Sequence, residues 1–272
     1  MKSLPQRIIS AAIAIIVIFV VNYFFDTTGI IALGFLLCAG GAFEYQRIAF
    51  QPQQLPKTLR AWFLVVCISL MLLTVFSNWY LLSMWGVLVT TYIVGALWIL
   101  RNKIENERLL TALSLSALGF IYCSLLPTFA LNLLNLQDGA AWFLLLCGIV
   151  FAGDVFAYFG GIWFGEKKIM PSLSPNKTRA GSISGLIGSV LAALAVGYLG
   201  IKSVPLFRLI PLSLIGGFTA QNGDLFESLL KRVAAVKDSG QFMPGHGGVL
   251  DRLDGLYFAA PLVYAAALYF TQ

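Results

Sequence analysis

Nine long apolar runs, separated by short polar breaks, leave this chain few ways to fold. They cover residues 8–25, 29–43, 61–77, 79–100, 109–126, 140–164, 182–199, 205–223 and 253–270. About 20 apolar residues span a bilayer as a helix, and hydrocarbon offers no water to satisfy an open backbone. The second run is short for a span. Composition excludes the soluble alternative. Of 272 residues, 59% are apolar or aromatic and 11% are charged, against roughly 25% charged in a soluble domain. The expected fold is all-α: a polytopic transmembrane helical bundle of about nine spans. It is read as a single integral-membrane domain over 1–272, with 1–139 as helical scaffold and 140–272 carrying the chemistry.

The formal charge of +6 resolves into short loops. Lys2 and Arg7 precede the first run, and Arg47, Lys57 and Arg60 follow the second. Arg101, Lys103 and Arg108 follow the fourth. Lys167, Lys168, Lys177 and Arg179 follow the sixth, and Lys231, Arg232 and Lys237 follow the eighth. With nine spans these loops share one side, while the opposite loops hold Asp26 and Asp138, with Lys202 and Arg208 as exceptions. Cytoplasmic loops are enriched in Lys and Arg, so the N-terminus is expected in the cytoplasm and the C-terminus outside. The basic balance is a topology signal first and an attraction to anionic lipid second; no nucleic-acid partner is expected. The first run lacks a small-residue cleavage site and reads as a retained helix. Tight turns are expected at Asp26-Thr27-Thr28 and Ser77-Asn78. Cys38, Cys67, Cys123 and Cys147 all lie in apolar runs without metal-ligand spacing, and read as packing residues.

The acids are concentrated late. Residues 154–254 hold Asp154, Glu166, Asp224, Glu227, Asp238, Asp251 and Asp254, seven of the twelve. Asp224 and Glu227 are three apart and share a helical face, with Lys231 one turn beyond. Asp251 and Asp254 repeat that spacing at the start of the last run, so carboxylates from two helix ends on one face can converge. Such oxygen ligands suit Mg²⁺, and nearby Lys and Arg suit phosphate. The bland alternatives are a simple Glu227–Lys231 ion pair and Asp251 as a helix-start acid. His246 is the only histidine, so zinc is not expected. A second constellation begins with Asp154 and Tyr158, one turn apart inside the sixth run. An intramembrane acid of this kind is costly and marks function by default, packing specificity being the alternative. The polar turn Ser174-Pro175-Asn176-Lys177-Thr178 follows.

These residues resemble the phosphatidate cytidylyltransferase (CDP-diacylglycerol synthase) family. The resemblance is carried by Ser228, Lys231-Arg232, Lys237-Asp238, Pro244-Gly245-His246-Gly247-Gly248 and Asp251-Arg252-Leu253-Asp254, about 27 positions in register. Gly223-Asp224, Glu227, Asp154, Ala157-Tyr158 and the Ser174–Thr178 turn extend it upstream. The resemblance implies transfer of the cytidylyl group of CTP to phosphatidate, with divalent metal. It implies Asp224 and Asp251 as metal ligands for Mg²⁺, whether one cation binds or two. Lys231, Arg232, Lys237, Asp238, His246 and Asp254 would do the catalytic work. Ser174, Lys177, Thr178, Arg252 and Asp154 would bind substrate. The implied setting is a bacterial inner membrane with the site facing the cytoplasm, a homodimer being an open assembly state. Two departures stand out: Arg179-Ala180-Gly181 where the family commonly has Trp-Glu-Gly, and Ile162 where it commonly has Arg. A CTP-using enzyme for another lipid phosphate is one alternative. An ion-coupled transporter lined by Asp154 and Asp224 is the other.

Overall fold

The structure is a computed structural model in which residues 4–76, 81–100, 104–240, 242 and 247–271 are described. Its helices run α1 (Leu4–Phe50), α2 (Lys57–Phe76), α3 (Leu81–Leu100), α4 (Asn106–Phe120), a π-helical turn (Ile121–Leu125) and α5 (Leu126–Leu133). They continue as α6 (Gly139–Phe164), α7 (Arg179–Gly200), α8 (Leu206–Val233) and α9 (Leu250–Thr271). Among the described residues one small antiparallel sheet occurs, β1 (Lys168–Met170) with β2 (Ser174–Thr178). Seven helical stretches of the described residues are long and apolar enough to cross a membrane. The chain is an all-α polytopic membrane protein, and large apolar side chains such as Trp98, Leu110 and Trp163 are exposed on it as lipid-facing residues would be. α8 has 28 residues but is not one of the seven, because it turns polar from Gln221 onward.

Several helices outrun the apolar runs that announce them. α1 is two helical pieces joined at Asp26, whose φ of 50° and ψ of −149° break the helix. The Val21 carbonyl oxygen lies 3.1 Å from where a Cβ on Gly29 would sit. Eight residues of continuous helix would separate the two by about 12 Å, so the chain doubles back where a tight turn was expected. The second piece then continues past Phe43 to Phe50, because Glu44, Tyr45 and Gln46 are buried in protein and do not end the helix. The turn expected at Ser77-Asn78 lies outside the described residues.

The chain divides into two compact units, Met1–Thr128 with Val233–Asp251, and Phe129–Arg232 with Arg252–Gln272. In the first, α2 buries Leu59, Phe63, Val66, Cys67, Leu70, Met71 and Thr74, one helical face. Phe63 stacks on Phe120 at 5.2 Å between ring centroids and meets Phe50 edge-on at 4.9 Å. Gly119 admits this cluster, since a Cβ there would lie 2.5 Å from the Tyr45 ring and 2.6 Å from Phe63. Pro127 has no N–H for the Cys123 carbonyl. The chain widens into a π turn just before it, with the Leu126 N–H donating to the Ile121 carbonyl.

The second unit is held by close helix approach. A Cβ on Gly188 of α7 would lie 2.6 Å from Phe156 and 2.8 Å from the Ala152 carbonyl oxygen of α6. The Ser189 hydroxyl donates to the Ile149 carbonyl at 2.7 Å, and a Cβ on Gly217 of α8 would come within 2.6 Å of that same hydroxyl. Small residues serve this purpose in lipid, where packing and hydrogen bonds hold helices together because the lipid tails are as apolar as the side chains. Arg208, an exception to the loop-charge pattern, sets its guanidinium 5.7 Å from the Phe270 ring centroid, a cation–π contact.

Gly188→Ala should therefore destabilise the protein by about 1–3 kcal/mol through overpacking. Gly86→Ala in α3, where a Cβ meets nothing within 4 Å, should stabilise by about 0.5–1 kcal/mol. Thermal unfolding of both variants in the same detergent checks the contrast.

Candidate active site

The polar half of α8 organises the charges of the second unit. Because the helix runs on to Val233, Asp224, Glu227 and Lys231 lie along one of its faces. α9 meets that face at Gly223, where a Cβ would lie 2.5 Å from the Asp254 carbonyl oxygen and 3.1 Å from Phe258 Cβ. Only glycine allows this approach. It brings the Asp254 carboxylate beside α8, so that oxygens of Asp224, Glu227 and Asp254 lie within 4.8 Å of one another. Glu227 is 1% exposed and Asp254 8%.

Carboxylates packed this closely repel, and lysines answer two of them. Lys231 Nζ lies 2.6 Å from Glu227 Oε2, and Lys177 Nζ lies 2.7 Å from Asp224 Oδ2. Asp254 Oδ1 accepts the Gly255 N–H at 2.7 Å. Asp154 is exposed on α6, and the charges that act on it are Asp224, Lys177 and Arg252. Four of the predicted residues (Asp154, Lys177, Asp224 and Arg252) thus belong to one electrostatic neighbourhood, which Lys231 and Asp254 extend. Glu227 is both Lys231's ion-pair partner and a member of the acid cluster.

The predicted polar turn after the sixth run is a β-hairpin. β2 delivers Lys177 to Asp224, and the Lys177 ammonium also donates to the Gln221 carbonyl at 3.3 Å. Thr178, expected to bind substrate, is buried and serves as the N-cap of α7, its Oγ1 accepting the Gly181 N–H at 3.1 Å. Gly181, retained beside the Arg179-Ala180 departure, is packed so that a Cβ would sit 2.8 Å from the Ala157 carbonyl oxygen. Ser182 and Gln221 are joined through the Ser182 hydroxyl and again by Gln221 Nε2 donating to the Ser182 carbonyl at 3.0 Å. Arg232 is exposed, and its Nε donates to the Leu173 carbonyl at 3.3 Å, tying the hairpin tip to the end of α8. Ser174 is half-buried, paired with Met170 in the hairpin register. Ile162 is exposed on α6.

The remaining predicted residues fall in the first unit. Lys237 and Asp238 are exposed and line a cleft with Arg47, Gln51, Ser239 and Gly240. Asp251 stands in the first turn of α9, where its Oδ2 accepts the Ser239 N–H at 3.0 Å and the Gly248 N–H at 2.8 Å. Its place in the first turn fits the helix-start alternative. Gly247 takes a φ of +86°, and a Cβ on it would lie 2.6 Å from Asp251 Oδ2, so the turn needs glycine on both counts. His246 lies outside the described residues. One further acid enters this loop from the scaffold half. Glu44 of α1, 6% exposed, accepts the Val249 and Leu250 N–H groups at 3.0 and 2.9 Å. Its sequence signal was faint: a lone acid immediately after an apolar run.

Fold and site define a polytopic helical membrane protein with a carboxylate cluster able to hold a metal ion and lysines within reach of it. A family model described as the cytidylyltransferase family matches residues 5–270. The chain belongs to that family. It is similar to a phosphatidate cytidylyltransferase of Thermotoga maritima, 37% identical over 178 residues, covering 64% of this chain and 66% of that protein. It is also similar to one of Bacillus subtilis, 36% identical over 148 residues, covering 54% of this chain and 55% of that protein. A chloroplastic phosphatidate cytidylyltransferase of Arabidopsis thaliana is 36% identical over 177 residues, covering 56% of this chain and 45% of that protein. The chain thus spans roughly half to two thirds of the length of these curated relatives.

Glu227 is almost wholly buried beside Lys231. Lys231→Met should cost about 3–5 kcal/mol, because removing one partner of a buried pair leaves the other charge uncompensated. Adding Glu227→Gln to Lys231→Met should recover part of that loss. Thermal unfolding of the single and double variants measures it.

Proposed function

We propose that this protein transfers the cytidylyl group of CTP to phosphatidate, releasing pyrophosphate and CDP-diacylglycerol. The observation that carries the reading is the cluster of Asp224, Glu227 and Asp254 within 4.8 Å, crossed by Lys177 and Lys231, in a chain of the cytidylyltransferase family. Hard oxygen donors in this number suit a divalent cation, and a cation that also takes substrate phosphates suits Mg²⁺. Asp224, Glu227 and Asp254 would hold it; the sequence resemblance implies Asp251 as a metal ligand as well. Bound there, Mg²⁺ would supply charge neutralisation at the phosphates.

The chain's own residues do the rest. Lys177 and Lys231, which contact Asp224 and Glu227, would offer ammonium donors to the triphosphate. A phosphatidate phosphate oxygen attacks the α-phosphorus of CTP. The bond from that phosphorus to the bridging oxygen breaks, and pyrophosphate leaves with the electron pair. Preorganised Lys and Arg side chains stabilise the developing negative charge. The nucleophile is already anionic, so no general base is needed. Arg252, whose charge acts on Asp154, would hold a phosphate in the same neighbourhood. The basic loops support a site facing the cytoplasm of a bacterial inner membrane, where CTP and a lipid headgroup can both reach it.

The test is purified protein in lipid nanodiscs with CTP, Mg²⁺ and phosphatidate. Pyrophosphate should appear in step with CDP-diacylglycerol, and Asp224→Asn should lower turnover by about 10²–10³-fold. Pyrophosphate with a different lipid phosphate only would redirect the substrate assignment. None with any lipid phosphate would end the transferase reading.

A further inference from the structure

The scaffold half of the chain contributes a carboxylate to the glycine-rich loop, and its geometry goes beyond simple packing. Glu44 Oε1 accepts the Val249 N–H, and Oε2 accepts both the Leu250 N–H and the Ser239 hydroxyl, the last at 2.8 Å. Leu250 opens α9, so these amides are among those that a helix start leaves unsatisfied. The acceptor comes from about two hundred residues earlier in the chain. Its seat is shaped for it. A Cβ on Gly240 would strike the Glu44 carboxylate, and one on Gly248 would strike both that carboxylate and the Ser239 hydroxyl.

Ser239 is shared. Its hydroxyl oxygen lies 3.0 Å from Asp251 Oδ2 as well as 2.8 Å from Glu44 Oε2, and it accepts the Asp251 N–H at 3.3 Å. One hydroxyl carries one proton. Glu44 and Asp251 therefore compete for it, and the donor taken by Glu44 is withheld from Asp251. Asp251 Oδ2 is then oriented by the Ser239 and Gly248 amides, whose own placement depends on the loop that Glu44 fastens.

We infer that Glu44 is a positioning residue for Asp251, setting its orientation through Ser239 and the Gly248–Leu250 backbone. The inference rests on the reading of Asp251 as a metal-holding carboxylate. A cap that served stability alone would leave metal affinity untouched. Groups that orient a metal's ligands typically change affinity or activity by about 10–100-fold when removed.

The experiment compares wild type, Glu44→Gln, Ser239→Ala and Asp251→Asn in the same nanodiscs, without substrate. Hydrogen–deuterium exchange of the peptide covering residues 247–251 is read in metal-free protein, and Mg²⁺ affinity is read by calorimetric titration. Glu44→Gln replaces one acceptor oxygen with an NH₂ group, so exchange at Val249 and Leu250 should rise at least about tenfold, and Mg²⁺ affinity should fall by about tenfold or more. Ser239→Ala should weaken Mg²⁺ in the same direction. Should Asp251→Asn weaken Mg²⁺ while Glu44→Gln speeds exchange without changing affinity, Glu44 is a cap alone and the inference is overturned. Unchanged affinity in Asp251→Asn would instead overturn the reading of Asp251 as a ligand. If Glu44→Gln does not fold, Ser239→Ala decides: wild-type Mg²⁺ affinity there overturns the inference, and a loss of about tenfold supports it.

Discussion

A carboxylate taken out of water must find a donor or a cation inside the protein, since its desolvation cost is otherwise several kcal/mol. That constraint shapes both compact units. Glu227 is met by Lys231 at 2.6 Å. Glu44 is met by two helix-start amides and a serine hydroxyl, and Asp251 by two amides. The elements that look irregular supply these partners. The β-hairpin exists where Lys177 must reach α8, and the glycine-rich loop exists where amides must point at Glu44 and Asp251.

Close helix approach is the second half of the same design. Carboxylates on separate helices can share a site only if the backbones come near, and glycine at 223 removes the side chain that would hold α8 away from Asp254. The contact carries a tension. Bringing Asp224, Glu227 and Asp254 within 4.8 Å raises their mutual repulsion, which Lys177 and Lys231 offset.

Much of the site was legible one residue at a time. The three-residue spacing of Asp224 and Glu227 and the one-turn spacing of Glu227 and Lys231 are helix geometry, and both hold in α8. Asp154 stood out because an acid inside an apolar run is costly, and it lies among Asp224, Lys177 and Arg252. Other features were hidden. Thr178 reads as a possible ligand donor, but its hydroxyl caps α7, and a β-strand before it makes that cap available. Glu44 carries no local signal of this role, because its partners lie about two hundred residues away and no local spacing encodes them.

From the sequence alone came the solvent and the membrane helices: too few charges to cover a water-facing surface, and continuous apolar runs long enough to span lipid as helices. The family resemblance likewise rested on residues in register, which the chain carries whatever its shape. Tertiary structure decided which carboxylates meet. Glu227 joins Asp224 and Asp254 because a glycine lets α9 press on α8, and Glu44 reaches the last helix because a buried acid seeks backbone amides wherever the fold presents them. Local periodicity records which face a residue occupies, but the identity of the facing residue depends on backbone approach, and that is set by packing across the whole unit.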